Sequence, residues 1–135
     1  MRLEIPGDKM SHDYEPSIMI VDDSPFTRRA IRTIIEANQL SNKIIEASDG
    51  IDAVIKYKQY HPTLVTMDVL MPKADGIQAL RAIRKLNPNA KVIMISSTGK
   101  SHIVQDAMRA GALDYVLKPF DSSQMAITLS RHGRM

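Results

Sequence analysis

Cysteine and tryptophan are absent from this 135-residue chain, and only four tyrosines and two phenylalanines supply aromatic rings. The lack of cysteine excludes disulfides and thiolate metal sites, and it is typical of a reducing compartment, so we expect a cytoplasmic location. Long apolar runs are also missing, because the longest are four residues where a membrane-spanning helix needs roughly 20. We therefore expect no association with a membrane.

Charge of one sign does not dominate either, since 18 basic and 15 acidic residues leave a net charge of +3. The basic residues are dispersed and accompanied by few aromatic rings, so direct nucleic-acid binding is not predicted. Basic groups on helices, such as Arg28, Arg29 and Arg32, are interpreted as solvent-facing surfaces. The length and a hydrophobic content of 44% are typical of one globular domain.

The first 16 residues contain two prolines and a glycine among charged residues and show no hydrophobic periodicity. We expect residues 1–16 to form a flexible N-terminal extension and residues 17–135 to form the folded domain. The extension lacks the apolar centre of a secretory signal. Met10 within it is an alternative start of the chain.

Short apolar runs then alternate with helical patterns along the chain. The runs predict five strands: Ile18–Val21, Ile44–Ala47, Leu64–Met67, Val92–Ile95 and Tyr115–Leu117. Continuous apolar runs are typical of parallel strands that are covered on both faces. Helix signals lie between them, with Ser24 and Pro25 beginning the first helix and Gly111 following the fourth. The pattern predicts an α/β fold, a (βα)5 doubly wound five-stranded parallel sheet.

Polar side chains follow four of these strands directly. They are Asp22 and Asp23, Asp68, Ser96, and Lys118. Open α/β sheets bind ligands beyond the carboxyl ends of their strands, so these groups should share one rim. Three carboxylates in one crevice repel each other unless a cation is present. Oxygen ligands without cysteine or histidine favour Mg²⁺, with Mn²⁺ as a substitute.

Such a rim is suited to phosphate chemistry. Asp68 can attack a phosphoryl group to form an aspartyl phosphate, while a Mg²⁺ ion held by Asp22 or Asp23 neutralises charge. Lys118 and Ser96 would contact the phosphoryl oxygens. Each residue alone also has a structural explanation, such as helix capping for the acids or a solvent-seeking lysine. These explanations would have to hold at several strand ends together, so we favour the functional interpretation.

Four segments resemble a known family. They are VDDS at 21–24, TMDVLMPKADG at 66–76, MISST at 94–98 and YVLKPF at 115–120. In this order they resemble the receiver domain of two-component response regulators, most closely the stand-alone CheY-like type. The resemblance covers residues 17–132 and implies the flavodoxin-like strand order 2-1-3-4-5.

The resemblance implies a phosphorelay function in signal transduction, with chemotaxis-like regulators as the nearest type. Asp68 would accept a phosphoryl group from a histidine kinase or phosphotransfer protein, which makes the chain a phosphoprotein. Asp22, Asp23, Asp68 and the Leu70 backbone carbonyl would hold Mg²⁺. The protein would catalyse its own phosphorylation and slow autodephosphorylation, and it would have no separate substrate.

The resemblance also implies a conformational switch. Ser96 takes the switch hydroxyl position, Tyr115 the aromatic switch position and Lys118 the lysine position, with a cis bond before Pro119. Phosphorylation would change the affinity of the face formed by the fourth helix, fifth strand and fifth helix for a separate output protein. The monomer could dimerise when phosphorylated.

Two positions near the path of the attacking water depart from the best-known chemotaxis pattern. Leu70 stands where asparagine is frequent, and Thr98 replaces an acidic residue. We expect both to influence the dephosphorylation rate, with Leu70 excluding or misorienting the water and slowing the reaction.

Other functions fit the sequence less well. An aspartate-based phosphatase needs a second acid two residues after its nucleophile, where this chain has Leu70. A flavin-binding site is disfavoured because Asp22 and Asp23 lie in the loop where the flavin phosphate would bind and would repel it. A receiver fragment of a larger DNA-binding transcriptional regulator remains an alternative, although the sequence has no helix-turn-helix pattern.

Overall fold

Strands and helices alternate along residues 16–133, the part of the chain that the computed structural model describes. The strands are β1 (Ser17–Val21), β2 (Lys43–Ala47), β3 (Leu64–Met67), β4 (Val92–Ser96) and β5 (Asp114–Leu117). The helices are α1 (Pro25–Ala37), α2 (Gly50–Tyr60), α3 (Gly76–Leu86), α4 (Ser101–Arg109) and α5 (Ser122–Gly133). All five predicted strands are confirmed to within one residue at either end. The predicted extension, apart from Pro16, lies outside the described residues.

The strands form one parallel sheet in the order β2-β1-β3-β4-β5, as predicted. Strand β1 lies between β2 and β3, with Val21 opposite Ala47 on one side and Met67 on the other. The connection that follows β1 and the connection that follows β3 run in opposite directions along the sheet. This change of direction leaves a crevice at the carboxyl ends of β1 and β3. The sheet topology therefore directs Asp22, Asp23 and Asp68 toward the same crevice.

Both faces of the sheet are buried, which explains the continuous apolar runs of its strands. On one face, helices α1 and α5 cover alternate residues of the central strands, including Ile20, Leu64 and Ile93. On the other, helices α2, α3 and α4 cover the intervening residues, such as Met19 and Met67. Because the central strands are packed on both faces, the sheet sets the positions of the residues that directly follow them.

Side-chain caps begin most helices at the rim of the crevice. Ser24 accepts a hydrogen bond from the Thr27 amide at 3.3 Å, and Pro25 opens α1 as predicted. Asp75 and Gln78 form a capping box at the start of α3. Gly111 has a φ of +107° after α4, the conformation that favours glycine. Within residues 16–133, no helix is both long and apolar enough to cross a membrane.

Candidate functional site

Asp22 is a buried acidic residue whose backbone and side chain are both hydrogen-bonded. Its backbone amide donates to the Ala47 carbonyl at 3.1 Å, which extends the pairing of β1 with β2 by one residue. Its Oδ1 accepts from the Ser24 amide at 2.9 Å, and its Oδ2 accepts from Lys118 Nζ at 2.8 Å. With only 1% of its surface exposed, the Asp22 carboxylate depends on these partners in place of water.

Asp68 occupies the equivalent place after β3. Its amide donates to the Val21 carbonyl at 3.0 Å, and its Oδ2 lies 3.5 Å from Lys118 Nζ. Burial and the charge of Asp22 raise the pKa of the Asp68 carboxyl, against the opposing effect of Lys118. A buried acid with a perturbed pKa and a charged partner is typical of a functional site.

Lys118 directly follows the edge strand β5, and its side chain contacts both Asp22 and Asp68. Its amide donates to the Ser96 carbonyl at 2.9 Å, which sets the end of β5 beside β4. Burial by itself would lower the pKa of Lys118, but the hydrogen bond and charge of Asp22, together with Asp68, raise it above the ordinary value. The ammonium therefore stays protonated. The Lys118–Pro119 peptide bond is cis, as the resemblance implies.

Carboxylate oxygens of Asp22, Asp23 and Asp68 lie within 4.8 Å of one another. Asp23 is exposed, whereas the other two acids are buried. The three acidic side chains outnumber the lysine that contacts two of them, Lys118. Three hard oxygen donors at this spacing can hold a metal ion and suit Mg²⁺, which binds through carboxylates and keeps some of its water.

Ser96, Tyr115 and Thr98 form a second group next to the acids. Ser96 is fully buried, and its Oγ accepts from the Thr98 amide at 3.3 Å. The Tyr115 hydroxyl donates to the Thr98 carbonyl, which ties the β4–α4 loop to β5. Burial raises the pKa of Tyr115, the Ser96 side chain opposes the shift, and the charge of Asp68 adds to it. The charge of Asp68 therefore acts on the group formed by Ser96, Tyr115 and Thr98.

The loop after Asp68 carries Leu70, whose side chain is 57% exposed at the rim. At the other end of this loop, the Gly76 amide donates to the Val69 carbonyl at 2.8 Å. A β-carbon on Gly76 would lie 1.8 Å from the Asp68 carbonyl oxygen, so only glycine fits there. The chain turns back directly against the backbone of the buried acid.

Sequence reasoning missed two residues that support the site. Gly76 lies inside a quoted motif, but no sequence signal indicated that its backbone contacts that of Asp68. The prediction that Arg28 is solvent-facing is wrong, because its side chain is only 19% exposed and pairs with Glu46 at 2.8 Å. The sequence separation of these partners hid the contact, since strand β2 lies beside α1 only in the folded chain.

Comparison with known proteins identifies the family. A family model described as the response regulator receiver domain matches residues 18–130. The chain is 41% identical to the chemotaxis protein CheY of Bacillus subtilis over 114 residues, which cover 84% of this chain and 94% of that protein. A CheY protein of Thermotoga maritima is 40% identical over 115 residues, again covering 84% and 94%.

The fold agrees with these relatives. The crystal structure of the CheX-CheY-BeF3-Mg+2 complex from Borrelia burgdorferi matches with a TM-score of 0.80 and 38% identity, over 91% of this chain and 95% of that one. The response regulator domain of Thermotoga maritima CheB matches with a TM-score of 0.73 and 35% identity, over 87% and 92%. With its sequence motifs, its strand order and its acidic crevice in agreement, the chain belongs to the CheY-like receiver domains of two-component response regulators.

Proposed function

We propose that this protein is a phosphorylation-dependent switch of a two-component system, with Asp68 as its phosphoacceptor. One observation carries the proposal: the buried Asp68 carboxyl group lies close to a second buried acid, Asp22, and the ammonium of Lys118 contacts both. The donor would be the phosphohistidine of a histidine kinase or of a phosphotransfer protein. This role agrees with the chain's membership of the receiver family.

In the proposed transfer, a carboxylate oxygen of Asp68 attacks the phosphorus atom while the phosphorus–nitrogen bond to histidine breaks. The electron pair of that bond stays with the leaving imidazole. Lys118, which lies within 3.5 Å of Asp68 Oδ2, would pair with a phosphoryl oxygen. Asp22, Asp23, Asp68 and the Leu70 carbonyl would hold Mg²⁺, which supplies positive charge to the developing transition state. Later attack by water on phosphorus would restore the carboxylate and release phosphate.

Ser96 and Tyr115 would transmit the change. The Ser96 hydroxyl, which accepts from the Thr98 amide, would donate to the new phosphoryl group and move the β4–α4 loop. Tyr115 contacts the same loop through the Thr98 carbonyl, so its position would respond. Phosphorylation would in this way shift the population of two arrangements of the α4–β5–α5 face.

The α4–β5–α5 face would then bind a separate output protein. Its exposed apolar side chains include Met108, Leu113 and Leu117. The 41% identity to a chemotaxis protein CheY, over 94% of that protein, supports an action of this kind, and a receiver fragment of a larger DNA-binding regulator stays the alternative. We further propose that residues 17–135 form the receiver domain, that the domain acts in the cytoplasm as a monomer able to dimerise on phosphorylation, and that it has no separate substrate.

Intact-protein mass spectrometry after incubation with acetyl phosphate tests the proposal. We expect the native chain to gain one phosphoryl group only when Mg²⁺ is present. The Asp68→Asn variant should gain none, while the Asp106→Asn variant on α4 should behave like the native chain. A folded native chain that stays unmodified with both acetyl phosphate and a phosphorylated kinase domain would contradict the proposal, as would modification of the Asp68→Asn variant.

A further inference from the structure

Arg28, on the first turns of α1, reaches back to the turn that carries the acidic pair. Its Nη1 donates to the Asp22 backbone carbonyl at 2.7 Å, and its Nε donates to Glu46 Oε1 at 2.8 Å. The planar guanidinium thus connects the end of β1 to the side chain of a β2 residue. Arginine is suited to this task because its donors are fixed in one rigid plane.

Glu46 is itself held from several directions. Its second oxygen, Oε2, accepts from Arg32 Nε at 2.8 Å, and its backbone carbonyl accepts from Lys56 Nζ at 2.6 Å. Burial by itself would raise the pKa of Glu46, but hydrogen bonds and charge from Arg32 and Arg28 lower it overall. The Glu46 carboxylate is therefore ionised and immobilised, and it fixes the orientation of Arg28.

The Asp22 carbonyl belongs to the peptide unit that joins Asp22 to Asp23. Because a peptide unit is planar, fixing its oxygen also fixes the direction in which the chain continues to Asp23. The Asp22 side chain has its own anchors in Lys118 and the Ser24 amide. Asp23 differs, since within residues 16–133 its exposed carboxylate has no hydrogen bond or ion pair. The position of the Asp23 carboxylate therefore depends on its backbone.

We propose that Arg28 is a positioning residue for the metal site, in which it holds the Asp22–Asp23 peptide so that the Asp23 carboxylate faces Asp22 and Asp68. Glu46 orients Arg28, and Arg32 secures Glu46. The inference rests on the proposed function to the extent that it treats the three aspartates as the Mg²⁺ site. It assigns to the α1–β2 ion pairs a role that surface salt bridges do not ordinarily have.

Positioning and simple charge give opposite expectations. If Arg28 acted only as a positive charge near the aspartates, its removal would relieve repulsion and strengthen Mg²⁺ binding. If Arg28 holds the peptide, its removal lets the Asp23 carboxylate leave the site and weakens binding. The direction of the change in Mg²⁺ affinity therefore separates the two explanations.

The test is a titration of the ¹⁵N-labelled protein with MgCl₂, followed through amide chemical shifts, which needs no phosphorylation. We expect Arg28→Met to raise the Kd for Mg²⁺ roughly tenfold, as loss of a residue that orients a ligand typically does. Arg28→Lys should also weaken binding, because it keeps the charge but loses the two-way guanidinium bridge. Arg29→Met, an exposed neighbour with the same charge change, should stay within about twofold of the native Kd because solvent screens it.

Glu46→Gln is a second variant that leaves Arg28 in place and removes its charged anchor, and it should weaken Mg²⁺ binding in the same direction. Amide spectra without Mg²⁺ establish whether each variant is folded. Unchanged or tighter binding in folded Arg28→Met or Glu46→Gln would overturn the inference and leave the proposed function standing. Absence of Mg²⁺-dependent shifts in the native chain would instead contradict the metal site of the proposed function, and the inference with it.

Discussion

Asp68 is a residue whose burial disfavours its own charge. The carboxylate is 5% exposed, faces Asp22, and has a pKa raised by burial first and by Asp22 second. A carboxylic acid with a raised pKa binds protons more readily in the folded state than in the unfolded chain. Its contribution to stability is therefore greatest below the unfolded pKa and declines as pH rises through the folded pKa.

This residue-scale argument predicts a pH-dependent effect of Asp68→Asn. In buffer without Mg²⁺, we expect the variant to have a larger free energy of unfolding than the native protein at pH 7. The difference should grow from the ordinary aspartate pKa of 3.8 up to the raised pKa and stay constant above it. Urea unfolding across this pH range measures it, with Asp106→Asn as the control. A difference independent of pH would show that the Asp68 charge is not the cause.

Leu70 supplies a second prediction at this scale. Its side chain is 57% exposed, so asparagine can replace it without disturbing the core. We expect Leu70→Asn to speed loss of the phosphoryl group about tenfold, because an amide that orients the attacking water with about 1.4 kcal/mol of transition-state stabilisation gives that factor. Leu70→Ala should also be faster, since it removes an apolar barrier to water.

The measurement is the decay of the phosphorylated mass after removal of the phosphodonor. Leu86→Asn at the far end of α3 is a matched control, because it changes an exposed leucine in the same way. Equal decay rates in the native protein and both Leu70 variants would refute a role for this side chain in dephosphorylation.

At the scale of the elements, the β3–α3 loop is constrained by its own backbone and by its neighbours. Lys73 and Ala74 both have positive φ angles, +53° and +71°, which residues other than glycine rarely adopt. The Ala74 carbonyl also lies where a β-carbon on Gly50 would be, at 2.3 Å. The loop is therefore fixed between the start of α2 and the backbone of Asp68, and it carries Leu70 in a defined place.

Gly76→Ala tests this constraint at the scale of the loop. An added methyl group 1.8 Å from the Asp68 carbonyl oxygen must displace backbone, so we expect a loss of about 3 kcal/mol in the free energy of unfolding. Gly133→Ala is the control, since its β-carbon would meet Leu64 at an ordinary 3.4 Å and should change stability by about 1 kcal/mol or less. Urea unfolding compares the two, and similar small losses would mean that the loop adapts easily.

At the scale of the whole molecule, the acidic side chains of Asp22, Asp23 and Asp68 lie close enough to repel each other, and a bound cation would reduce this repulsion. The three aspartates extend from β1 and β3, and Lys118 joins them from β5, so a bound ion would tie the centre of the sheet together. A ligand that binds only the folded state stabilises it according to its concentration and Kd. Stability should therefore depend on Mg²⁺.

We expect a Mg²⁺ concentration about ten times Kd to add about 1.4 kcal/mol to the free energy of unfolding. Chemical unfolding with and without MgCl₂ measures this, and potassium chloride at equal ionic strength controls for screening. Asp23→Asn should lose most of the effect, because it removes one of the three carboxylates. A gain equal to that in potassium chloride would contradict specific binding by the folded protein.

Much of this fold could be predicted because the local sequence patterns indicate the same secondary structure that the folded protein adopts. Apolar runs such as Ile18–Val21 and Val92–Ile95 are continuous because the sheet is covered on both faces, and that regularity is visible in the sequence. Asp22, Asp23, Asp68 and Lys118 could be grouped because the carboxyl ends of parallel strands share one edge. The strand order came from family resemblance, since local patterns do not specify which strands are neighbours.

The sequence by itself determined the strands, the helix starts and the residue types gathered at one edge of the sheet, because these depend on periodicity and on contacts between near neighbours. Only the tertiary structure decided that Arg28 bridges Asp22 to Glu46 and that Gly76 lies against Asp68. These contacts join segments that become neighbours only when the chain folds, and their geometry depends on the interatomic distances that the fold sets. Residue type and spacing along the chain carry no record of such distances.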